Sequence, residues 1–159
     1  ALQEYEAEFG VREVDAYAYP SSAYGLEPGA SGSDMSGVQA HVAAGGDDVF
    51  TELVGPVPVD QWSWGYQGTP TPGSSWRTLV DGPAGAIVGT YVRADGTEAL
   101  VNTVDTNEWS LHGHVLFGGM LEWVTRGTHL GSKRNYLGID VDEDRVRRYR
   151  RDVPVRQVA

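Results

Sequence analysis

The 159 residues carry 22 acidic side chains against 12 Lys and Arg, a formal charge of −10, with 40% hydrophobic residues and no Cys. That balance gives one domain enough core to fold, argues against nucleic-acid or anionic-membrane partners, and excludes disulfides, thiolate metal sites and a Cys nucleophile. No apolar run approaches the roughly 20 residues that span a bilayer.

The chain opens at Ala1 in a helix-like pattern with neither Met nor a signal peptide, which predicts a piece or a processed product of a longer protein. Leu2, Tyr5 and Phe9 recur at helical spacing among acids, and Gly10 is placed to stop that helix. Val14 to Tyr19 reads as a short strand ending at Pro20, so the chain begins with the αβ step of a layered α/β fold. Residues 21–37 read as a long Gly/Ser/Pro loop. Most of the 21 Gly and 8 Pro fall between Pro20 and Gly89, which predicts a first half rich in turns.

Val38 to Val42 suits a strand, although the segment is short enough to be helical. Asp47 or Asp48 is placed to cap a short helix over Val49, Phe50 and Leu53, closed by Gly55-Pro56. Trp62, Trp64 and Tyr66 alternate with Ser63 and Gly65, the period of a strand with three aromatics on one face. Ala86 to Val92 and Glu98 to Val104 flank Asp95-Gly96, a strong hairpin signal. From about Glu108 to Thr125 the residues Leu111, Val115, Met120 and Val124, with Leu116, Leu121 and Trp123 beside them, predict an apolar helix ended by Gly127. Gly127 to Asn135 reads as a crossing, and Tyr136 to Val141 as a strand running into the acids Asp140, Asp142, Glu143 and Asp144. The Arg-rich tail, residues 142–159, holds six Arg against four acids.

Few patterns carry chemistry. The acid run starts like an EF-hand loop, but Arg145 and Arg151 stand where Gly and Glu are required. It reads either as a catalytic carboxylate pair at a strand end or as a solvated turn paired with the arginines. His112 and His114 lie two apart in the expected helix, so their rings diverge and would not share a metal. His41 and His129 are isolated. Gly32-Ser33 and Gly73-Ser74-Ser75 lack the G-x-S-x-G elbow, and no phosphate-cradling Gly motif occurs. The aromatics Trp62, Trp64 and Tyr66, with Trp76 as a further candidate, suit stacking on sugar rings. The competing reading is a sheet face packed under a helix.

Three stretches, ALQEYEAEFGVREVDAYAYP, GTYVRADGTEALVNTVDTNEWSLHGH and LEWVTRGTHLGSKRNYLGIDVDED, together resemble large secreted carbohydrate deacetylases of the exopolysaccharide type, over roughly residues 1 to 143. In that family a non-catalytic region precedes a polysaccharide-deacetylase barrel. The resemblance implies an accessory α/β domain over 1–126, a layered sheet with flanking helices similar to the glutamine-amidotransferase class but without its Cys. A crossover over 127–135, the first strand of a truncated deacetylase domain over 136–143 and a divergent tail over 144–159 would follow. Asp142 would match the catalytic base, and Glu143 stands where the family carries a metal-binding Asp. The family's H-x-x-x-H is absent from this sequence, so the chain is expected to hold no cofactor itself. Zinc or another divalent metal is expected for a full-length member. The tail is expected to be a misread or truncated end, which the downstream nucleotide sequence would test.

The functional expectation is therefore an extracellular accessory region of a polysaccharide deacetylase, inactive alone, with a polysaccharide as partner. An independent carbohydrate-binding module using Trp62, Trp64 and Tyr66, and a purely structural domain, are the alternatives.

Overall fold

The computed structural model describes residues 2–29 and 31–128. The acid run, its candidate residues Asp142 and Glu143, the crossover and the tail lie outside them.

Helix α1 (Leu2–Phe9) ends at Gly10, whose φ of 60° is a left-handed value that glycine adopts without strain. Strand β1 (Arg12–Asp15) follows. It starts and stops earlier than the alternation predicts, and the residues after it are tied to Asn102 through both its side chain and its backbone. Asn102 Nδ2 donates to the Ala16 carbonyl at 2.9 Å, and the Ala18 N–H donates to the Asn102 carbonyl at 2.8 Å. Tyr17 thus sits in a bend between two anchors.

The expected loop over 21–37 contains a 3-10 turn at Ser22–Tyr24, strand β2 (Leu26–Pro28) and strand β3 (Ser33–Asp34). Strand β4 (Gln39–Val42) settles the helix-or-strand ambiguity in favour of the strand. The short helix expected over 47–53 is absent. Successive turns occupy the segment, Gly46 N–H to Ala43 O at 2.7 Å and Val49 N–H to Gly46 O at 2.9 Å among them. Asp48 pairs with Arg77 at 3.2 Å instead of capping. Val49 and Phe50 are nonetheless buried.

The remaining elements are β5 (Val57–Pro58), β6 (Trp64–Gly65), β7 (Gly68–Pro70), β8 (Arg77–Gly82), β9 (Gly85–Val92), β10 (Glu98–Asn102) and α2 (Leu111–Val124). The predicted hairpin is β9–β10, in antiparallel register from Glu98↔Val92 to Asn102↔Val88. The main sheet runs β1-β10-β9-β8-β4-β5, with β7 joining β9 at Gly68↔Ala86 and β2 lying outside β7. β1–β10 is its parallel pair, from Arg12↔Glu98 to Asp15↔Val101, and its other pairs are antiparallel. The result is a mixed α/β fold with a curled sheet and few helices.

Two bulges explain the curl. Between β8 and β9 the register steps past Leu79 on one strand and past Ile87 on the other, which restores it. Leu79 and Val80, and likewise Ile87 and Val88, are then buried as neighbours rather than alternating. The Ile87 carbonyl accepts the Thr103 N–H at 3.0 Å and lies 2.9 Å from the Thr103 hydroxyl oxygen.

Leu116, Met120 and Trp123 of α2 pack against this sheet with Met35, Val59 and Phe50. Gly119 lets the helix approach the Phe50 ring, where a Cβ would come within 2.4 Å. The helix closes with Arg126, at φ 52°, as its first left-handed residue. Arg126 N–H donates to Trp123 O and Gly127 N–H to Glu122 O, the paired bonds of a Schellman motif one residue earlier than Gly127 alone suggests.

Candidate functional site

The sheet's inner face is closed by α2, so chemistry has to be sought where side chains leave the core. β6 is such a place. From Trp62 to Tyr66 the exposed Trp62 and Trp64 and the partly buried Tyr66 alternate with buried Ser63 and Gly65, so the aromatics project outward. The regular strand covers only Trp64–Gly65, because Trp62 has a φ of 69°, a strained value for a non-glycine residue. Hence the three aromatics do not form one strand face. Trp62 is 92% exposed and is held through its N–H, which donates to Ser36 Oγ at 3.0 Å.

Trp64 and Tyr66 do come together. They flank Gly32, where a Cβ would lie 2.5 Å from Trp64 Nε1 and 2.4 Å from Tyr66 Cε1. Tyr66 in turn meets two tyrosines from the segment after β1, Tyr19 edge-on at 4.9 Å between ring centroids and Tyr17 at 6.3 Å. Tyr17, Tyr19 and Trp64 are 48%, 55% and 48% exposed. The four rings form an aromatic platform open to solvent. Burial against its neighbours pushes the Tyr17 phenol up, and the Tyr66 ring, a hydrogen bond to it and the Asp105 carboxylate push the same way.

The backbone beneath the platform is fixed on both sides. Tyr66 N–H donates to Thr103 O at 3.0 Å, and the Thr103 hydroxyl donates to Tyr66 O at 2.6 Å. Asp105 N–H donates to Trp64 O at 2.8 Å. On the other side β3 pairs with β6, Asp34 opposite Trp64. Hydrogen bonds from the Ser36 hydroxyl and N–H hold the Asp34 carboxyl below its ordinary value. Trp76 is not part of the platform: its ring covers Gly89 and its Nε1 donates to Thr78 Oγ1 at 3.0 Å.

The histidines point elsewhere. The buried His112 ring places Nδ1 2.7 Å from Asp60 Oδ2 and Nε2 3.2 Å from the Asp105 carbonyl. His114, two residues on, is exposed and turns Nε2 to the Glu108 carbonyl at 2.8 Å. Among the described residues no three His, Asp or Glu side chains converge on a point that would hold a metal ion.

Sequence patterns single out Trp64 and Tyr66 but miss Tyr17, Tyr19, Asp34 and Asp105. A signal for the tyrosines does exist, since Tyr17-Ala18-Tyr19 has the same spacing as Trp64-Gly65-Tyr66. Nothing in the sequence shows that the two pairs meet.

No protein-family model and no curated protein matches the chain. Among solved structures it is similar to one described as the crystal structure of Agd3, a novel carbohydrate deacetylase, with a TM-score of 0.70 and 22% identity over 84% of this chain. The match spans 22% of that longer chain. At this identity the likeness shows a common fold: the described residues adopt a fold that also occurs within a carbohydrate deacetylase.

Proposed function

We propose that the chain is the non-catalytic, saccharide-contacting accessory region of a carbohydrate-deacetylase-like protein. The observation that carries this reading is the solvent-open platform of Tyr17, Tyr19, Trp64 and Tyr66, on a framework similar to part of a deacetylase. Aromatic faces left open to water, with polar tips at their edges, suit the apolar C–H faces of pyranose rings. The exposure of Trp62 and Trp64 weighs against a purely structural role.

The finer parts of the reading are proposals too. The region would precede a catalytic barrel, Asp142 and Glu143 would begin that barrel's metal site, and the protein would act outside the cell. No helix among the described residues is long and apolar enough to cross a membrane. Glutamine-amidotransferase-like layering draws its support from the α1–β1 step and the parallel β1–β10 pair.

Titration with neutral and amino-sugar tetrasaccharides, followed by tryptophan fluorescence, tests the reading. Saccharide binding that falls at least about tenfold, 1.4 kcal/mol, in Trp64→Ala is the expected result. No binding by the folded chain would refute it. Binding by this chain alone, reduced also by Trp62→Ala, would favour an independent carbohydrate-binding module. Acetate release from an N-acetylated polymer with added zinc, abolished by Asp142→Ala, would refute the non-catalytic assignment.

A further inference from the structure

Residues facing each other across antiparallel neighbours project to the same side of a sheet. Asp34 faces Trp64 from β3. On the opposite flank, the bridge Gly65↔Val104 and the bond from Asp105 N–H to Trp64 O place Asp105 against Trp64 as well. The exposed indole thus stands in a row, Asp34–Trp64–Asp105, with a carboxylate one strand spacing away on either side, roughly 5 Å. Both acids are exposed.

No cation among the described residues pairs with either acid. Residues 2–128 contain 17 acids and four arginines. Arg12 binds Glu98, Arg77 binds Asp48, Arg93 binds Glu13, and Arg126 donates to the Gly10 carbonyl. His112 is spent on Asp60 and Asp105 O, and His114 on Glu108 O. The bonds from Ser36 keep Asp34 ionised.

A ring that accepts a sugar face and is bracketed by two uncompensated carboxylates selects for positive charge on that sugar. An ammonium at the ring's edge gains from both carboxylates and from the indole's negative face. An N-acetyl group offers no charge in return. We infer that the row Asp34–Trp64–Asp105 is a subsite for a hexosamine unit carrying a free amine, which it holds in preference to the N-acetylated unit. This rests on the saccharide-contacting role proposed above and adds the charge class of the ligand. A deacetylated polymer, the product side of a deacetylation, would be retained on this face.

The test compares tetramers of β-1,4-linked glucosamine, N-acetylglucosamine and glucose on the full chain, in slightly acidic buffer of low salt. The glucosamine tetramer is expected to bind about tenfold more tightly than the other two, 1.4 kcal/mol. That margin should shrink as salt is raised, because exposed charges are screened. The Asp34→Asn/Asp105→Asn pair should reduce the preference to within about twofold while keeping N-acetylglucosamine binding. Asp105→Asn alone, which spares the Ser36 bonds, should give an intermediate loss. Asp47→Asn, an exposed acid in the turns after β4, controls for net charge and should change nothing.

Equal or tighter binding of the N-acetylated tetramer would overturn this inference and leave the saccharide-contacting role standing. So would a preference that survives the double substitution or falls equally in Asp47→Asn. Failure of all three tetramers to bind the folded chain would overturn both.

Discussion

Asp60 caps α2 from outside the helix: its Oδ2 accepts the backbone N–H of His112 at 2.9 Å and lies 2.7 Å from that residue's Nδ1. The helix needs this because Ser110, at the N-cap, gives its hydroxyl to the Asn107 carbonyl instead. The ring's Nε2 lies 3.2 Å from the Asp105 carbonyl. Asp105 N–H then donates to Trp64 O. One chain of bonds runs from the start of α2 to the backbone of Trp64 beneath the platform. His112→Ala should remove the buried hub and cost about 2–4 kcal/mol of unfolding free energy in urea titration. A loss under about 1 kcal/mol would mean that the network does not hold the helix.

The same contact gives a pH dependence of known sign. Hydrogen bonds from the His112 N–H and ring hold the Asp60 carboxyl below its ordinary value of 3.8. A carboxylate depressed in the folded state contributes stability above its unfolded value, and that stability is lost as pH falls through the lower folded one. Melting temperature should therefore drop as pH is taken below 3.8. In Asp60→Asn the drop should be smaller, from a lower starting value at neutral pH. An identical acid limb in wild type and variant would remove Asp60 from the account.

Gly32 separates binding from stability. Its missing Cβ makes room for the half-exposed Trp64 and the partly buried Tyr66, and the atoms a Cβ would meet are at the far ends of those side chains rather than in backbone. Gly32→Ala should therefore cost less than about 1 kcal/mol in stability. It should still spread the two rings and weaken saccharide binding several-fold. Unchanged affinity would show that the ligand does not use the Trp64–Tyr66 pair together.

Local pattern makes some of this architecture legible and not the rest. The Asp95-Gly96 turn and the period of α2 are encoded in consecutive residues, so the hairpin and the helix can be read directly. The turns over 43–53 cannot. Asp48 is a good cap by type, but Arg77, 29 positions away, takes its carboxylate. The end of β1 is likewise set by Asn102, 86 positions from Ala16. The platform follows the same rule: each aromatic pair is visible as an i, i+2 spacing, while their meeting depends on how 16–18 and 64–66 lie against the chain from Asn102 to Asp105.

Adjacent glycines on α2 give an internally controlled test of its packing. Gly118 is exposed, and a Cβ there would meet nothing within 4 Å. At Gly119 a Cβ would lie 2.4 and 2.6 Å from two Phe50 ring carbons and 2.9 Å from the Val49 carbonyl oxygen. Both changes to Ala gain helix propensity, about 1 kcal/mol each. At Gly119 that gain is opposed by overpacking of about 1–3 kcal/mol, and Phe50 is buried in the core with backbone behind it. Gly118→Ala should therefore raise the melting temperature and Gly119→Ala lower it. Should both raise it, α2 would have to sit farther from Phe50 than the 2.4 Å approach requires.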